Sequence, residues 1–129
     1  MFLFFGALLG FVSVAFGAFA AHGLNDVASD ASLNSLSVAI NYNQINAVVI
    51  SAIGLAQIAN PKIINMSLLN WSASLLIIGT VLFSFSVYLS VVFESPGLIR
   101  LMPFGGMMII AAWLLTAYVG FAFARDRNE

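Results

Sequence analysis

Apolar residues run through this chain in four long blocks that no charged side chain interrupts: residues 1–25, 31–61, 63–93 and 101–124. Crossing the hydrocarbon of a bilayer takes about 20 predominantly apolar residues. A charged group at the centre of a membrane helix costs roughly 2.5–3.5 kcal/mol on an insertion scale. Each block is long enough for one span, and every charge falls between spans or at the C-terminus. The pattern predicts four transmembrane helices, at about residues 2–21, 38–59, 68–92 and 101–123. Short connections make consecutive helices antiparallel neighbours. The predicted fold is all-α: an up-down bundle of four transmembrane helices, forming a single integral membrane domain over residues 1–129.

The breaks follow the same logic. Residues 22–37 are polar and small and read as the first loop, with Asp30 or Ser32 as a cap for a short interfacial helix. Asn60-Pro61 ends the second span, because proline disfavours helical conformation in the residue before it. Pro103 falls in the first turn of the fourth span, where a missing N–H does no harm.

Small residues mark the faces on which helices meet. Gly6, Gly10, Ser13 and Gly17 share one side of the first span. Gly6 and Gly10 form a small-xxx-small pair, which suits packing within the bundle or pairing with a second copy. Ser72, Gly79 and Ser86 recur every seven residues on the third span. Gly105, Ala112, Thr116 and Gly120 give the fourth its expected close-packing side. Trp71 stands near the start of the third span, where an indole favours the membrane interface.

Composition sharpens the class. The 129 residues are 62% hydrophobic and 7% charged, against about 25% charged in an average soluble domain. A net charge of −1 gives no basis for nucleic-acid binding. Cysteine is absent, which excludes disulfides, thiolate metal sites and thiol catalysis. Ala18-Phe19-Ala20 resembles a signal-peptide cleavage site, but no Lys or Arg precedes the apolar run, and the run is longer than an h-region. The first segment is therefore expected to stay as a span. With an even number of spans, Lys62, Arg125 and Arg127 share a side with both termini, and Arg100 lies opposite. The positive-inside rule then places both termini in the cytoplasm. The expected location is the bacterial inner (plasma) membrane.

Polar residues inside the spans gather in four segments: Gly17 to Leu24, Asn41 to Ala47, Phe83 to Tyr88, and Pro103 to Gly106. Because helix direction alternates, all four converge on one half of the membrane. The same segments carry a resemblance. Gly17-Ala18-Phe19-Ala20-Ala21-His22-Gly23-Leu24 matches a Gly-Ala-x-x-Ala-His-Gly-Leu pattern. Asn41-Tyr42-Asn43-Gln44-Ile45-Asn46-Ala47 stands where that pattern has Gln-Tyr-Gln-x-x-His-Ala, with Asn at both Gln positions and Asn46 at the His. Phe83, Ser84, Ser86 and Tyr88 match Phe-Ser-Gly-Ser-x-Tyr, with Phe85 replacing the Gly. Pro103, Gly105, Gly106 and Trp113 match Pro-x-Gly-Gly followed by an apolar run and Trp. The chain thus resembles the "domain of unknown function 423" family, the transmembrane protein 256-like small membrane proteins. That resemblance implies a four-helix membrane fold and no particular activity. Asn46 cannot titrate and is a poor transition-metal ligand, so a site built on paired histidines is not expected here.

The candidate polar cluster comprises His22, Asn41, Tyr42, Asn43, Gln44, Asn46, Ser84, Ser86 and Tyr88. It admits two readings: hydrogen bonds that fix the bundle, or a polar pocket. His22 is open to an interfacial hydrogen-bonding role or a proton-relay role. Candidate packing residues are Gly6, Gly10, Gly17, Ser72, Gly79, Gly105 and Gly106. The spans hold no Asp, Glu, Lys or Arg, whereas acid–base catalysis and coupled transport use such groups. Neither an enzyme nor a metal or cofactor site is expected. The expected function is that of a structural or accessory subunit, acting by helix–helix contact with other membrane subunits or with itself. The alternative is a passive conduit or binding pocket for a small polar molecule or lipid head group. The expected surroundings are the lipid bilayer.

Overall fold

In the computed structural model of the chain, residues 1–24, 29–60, 62–63 and 66–126 are described. Expectations for Asp26, Pro61 and Arg127 lie outside the described residues. Four helical rods are long and apolar enough to span a membrane. The first is α1 (Phe2–Phe19), continued by a π-turn at Ala20–Leu24. The second is α2 (Asp30–Ala59). The third joins α3 (Ser67–Thr80), a π-turn (Val81–Phe85) and α4 (Ser86–Val92). A 3-10 turn (Pro96–Leu101) leads into the fourth, α5 (Met102–Asp126).

The second span begins at Asp30, two turns before the predicted start at 38. Residues 30–37 of the polar stretch read as loop are helix. Ser29 is the N-cap, and its hydroxyl accepts from the Ser32 backbone N–H at 3.3 Å. Asp30 in the first turn meets the positive end of the helix dipole. Polar residues are unfavourable in hydrocarbon but not in a helix that projects beyond it, and 30 residues extend for about 45 Å against a core of roughly 30 Å. The cap expected at Asp30 or Ser32 is thus Ser29, and the residues expected to form an interfacial helix are the first turns of α2 itself. Asn60 closes the helix in extended conformation.

The rods alternate in direction. Leu3 and Gly6 of α1 lie against Gly54 and Ser51 of α2, and Gly17 lies against Ile40. Ser72 and Gly79 of α3 lie against Ala112 and Gly105 of α5. The second and third spans bury more than twice the share of residues that the first and fourth do, so they form the centre of the bundle. The interior holds two apolar clusters. One is built on Leu9, Ile50, Ile53, Leu76 and Ile109, the other on Leu36, Ala39, Ile40, Val87 and Tyr88.

Three glycines set how closely the rods approach: a methyl group on Gly6 would overlap Ser51 and the Ala47 carbonyl of α2. A methyl group on Gly54 would overlap the backbone of Leu3, and one on Gly105 would overlap the backbone of Phe83. Phe83 lies in the π-turn of the third span, so that local widening is where α5 seats its glycine. Gly10, Gly17 and Gly106 make ordinary contacts only. Gly120, expected on the packing side of the fourth span, has open space around it, whereas its neighbour Val119 is buried.

Candidate functional site

Between the two apolar clusters lies a layer of buried polar side chains. Asn46 of α2, Thr80 of α3 and Trp113 of α5 meet there. The Asn46 amide donates to the Thr80 hydroxyl at 3.0 Å, and the Trp113 indole N–H donates to Asn46 Oδ1 at 3.3 Å. The three residues belong to three different spans. Asn46 is about 24 Å from the start of α2 and about 20 Å from its end, near the middle of that helix.

One turn nearer the start of α2, the Asn43 amide donates to the Tyr88 hydroxyl at 3.1 Å. Ser84 donates to the backbone carbonyl of Ala39 at 2.9 Å, tying the third span to the second. The Tyr88 ring stacks on Phe16 of α1 at 4.0 Å with planes 10° apart, and the first span is thereby held to the same layer. Asn43, Asn46, Thr80, Ser84 and Tyr88 have no accessible surface. Asn43 Oδ1 is buried and has no hydrogen-bond partner among the described residues.

The nine predicted polar residues therefore divide. Asn43, Asn46, Ser84, Ser86 and Tyr88 are buried, whereas His22, Asn41, Tyr42 and Gln44 are exposed. Ser86 turns its hydroxyl back to the Phe83 carbonyl at 2.8 Å rather than across the bundle. Tyr42 lies edge-on to Phe83 at the protein surface. His22 sits in the π-turn that ends the first span. Sequence reasoning passed over Thr80 as a partner and took Trp113 only as part of a motif. Thr80 follows Gly79 on the packing seam, and Trp113 lies mid-span, away from the interface where tryptophan is usual. Those positions were the available signals.

A second polar contact joins the last two spans. Ser72 donates to the Ala112 carbonyl at 2.9 Å and meets the Thr116 hydroxyl. At the same end of the third span, Gln57 of α2 donates to Asn70 at 2.7 Å. No three His, Asp or Glu among the described residues stand close enough to hold a metal ion.

A groove of about 640 Å³ runs between α1 and α2 on the outer surface. Gly6, Gly10 and Ala47 are among the small residues that line it, with Val14 and Val48 beside them. Gln44 lines it too, and it is exposed.

Comparison with known proteins agrees with this architecture. Residues 16–106 match the family described as "Protein of unknown function (DUF423)". The chain is 35% identical over 123 residues to a UPF0382 membrane protein of Staphylococcus haemolyticus, covering 95% of this chain and 97% of that one. It is 31% identical over 115 residues to a UPF0382 membrane protein of Haemophilus influenzae, covering 89% of each. No solved structure matches. Four spans, the shared length and the family match lead to one conclusion: the chain belongs to the DUF423 family of membrane proteins.

Proposed function

We propose that this protein is a structural or accessory component of the membrane, acting through helix–helix contact on its lipid-facing side. The observation that carries this reading is the groove between α1 and α2. Its wall of small residues would let another helix approach closely, and such contacts drive association where lipid and side chains are equally apolar. The buried polar layer supports the same reading from inside. Its side chains bond to one another across spans, and Asn43, Asn46, Thr80, Ser84 and Tyr88 have no accessible surface, which suits residues that hold the bundle together; only the Trp113 ring reaches the protein surface. That favours a packing role over a conduit through the cluster. Its side chains are also neutral amides, hydroxyls and an indole, which gives no basis for assigning a reaction.

The bias of basic residues supports an orientation with both termini and Lys62 on the cytoplasmic side and Arg100 outside. Gentle extraction from native membranes followed by mass spectrometry of intact complexes tests the proposal. The expected result is a stoichiometric complex, lost when Gly10→Leu fills the groove. A strictly monomeric protein under the mildest conditions would contradict it.

A further inference from the structure

Gln44 is a carboxamide at the middle of a membrane helix, and it faces outward. It lies about 21 Å from the start of α2 and about 22 Å from its end, while half the hydrocarbon thickness is only about 15 Å. Sliding α2 by a full turn still leaves it in hydrocarbon. Among the described residues nothing hydrogen-bonds its side chain, and it lines the α1–α2 groove. Acyl chains offer neither donor nor acceptor, and lipid head groups lie too far away along the membrane normal. Whatever covers this face must bring both a donor and an acceptor to that depth.

We propose that the occupant is a second copy of this chain, its Gln44 paired with the first across a two-fold axis along the membrane normal. The inference rests on the helix-contact reading above. Two copies inserted in the same orientation carry Gln44 at the same depth by symmetry. A carboxamide is self-complementary: the N–H of each donates to the C=O of the other, and both needs are met without any further residue. The shape agrees. Gly10 and Ala47 give a floor of small residues, while Val14 and Val48 beside them are 63% and 70% exposed. On a two-fold dimer, these valines of one copy fill the groove of the other. Gly10 does not hold α1 to α2 closely, since a methyl group there would meet only Ala47 at 3.8 Å. The groove can therefore be altered without separating the spans.

The absence of cysteine makes the test direct. Val48→Cys, one turn from Gln44, is bridged by oxidation or a short bis-maleimide in native membranes. Leu114→Cys on the exposed side of α5 serves as the comparison. The expected result is a covalent homodimer from Val48→Cys and none from Leu114→Cys. Gln44→Leu should weaken association of fluorescently labelled copies in vesicles about eightfold, the value of two interhelical hydrogen bonds of average strength. Unchanged helix content and thermal stability would show that this variant still folds. No homodimer above the Leu114→Cys background, or one insensitive to Gln44→Leu, overturns the proposal. An adduct between Val48→Cys and a different protein also overturns the second copy but leaves the helix-contact reading standing. No adduct of either kind removes both.

Discussion

At the scale of single residues, the interior is organised by neutral hydrogen bonds. Asn46 is the hub, receiving from Trp113 and giving to Thr80. Asn46→Leu keeps the volume but strands an indole N–H, and it should cost about 1–2 kcal/mol in reversible detergent unfolding. Asn46→His should retain most of that stability, because one ring nitrogen can accept from Trp113 while the other donates to Thr80. Tyr88→Phe keeps the stacking on Phe16 but leaves the Asn43 amide unpaired, a loss of about 1 kcal/mol. Asn43→Leu in that background should recover part of the loss, since it also removes an oxygen that has no partner among the described residues. The sequence marked Asn43, Asn46, Ser84 and Tyr88 as unusual in a membrane interior but not their pairings. Those depend on rotation of the rods about their axes, and a run such as Asn41 to Asn46 covers more than one turn. Asn43 and Asn46 face inward, whereas Asn41 and Gln44 face outward.

At the scale of elements, contact between spans is set by where backbone meets backbone. Gly54→Ala and Gly105→Ala would drive a methyl group into the backbones of Leu3 and Phe83, so each should cost about 1–3 kcal/mol and loosen its helix pair. Gly10→Ala and Gly120→Ala meet no such obstacle and gain helix propensity; they should be neutral or stabilising by up to about 1 kcal/mol. Thermal unfolding of the four variants in one detergent separates the two groups. Helix existence was legible because charges fall only between spans. The start of α2 was not, because Ser29 to Ser37 looks like a loop by composition yet is helix held by its cap and its acidic first turn. The π-turns left no sequence mark comparable to a proline, although the one in the third span fits the seat of Gly105.

At the scale of the whole molecule, a bundle fixed from within presents its distinctive surface to lipid. The charge-free blocks announce four spans, but they do not say that the second and third are central or that the groove opens between the first and second. Those facts come from lateral packing, which hydropathy does not encode. Single cysteines beside Lys62 and Arg125 should react with a membrane-impermeant reagent only from the cytoplasmic side, and one beside Arg100 only from outside. The central claim is that this protein acts through the α1–α2 face, and a photo-crosslinking scan around the bundle in native membranes tests it most directly. With the reactive group placed in turn at Val14, Val48, Ile110 and Leu114, discrete adducts should form from Val14 and Val48 and not from the α5 positions. Equal crosslinking on every face, or none from the groove, would contradict the account.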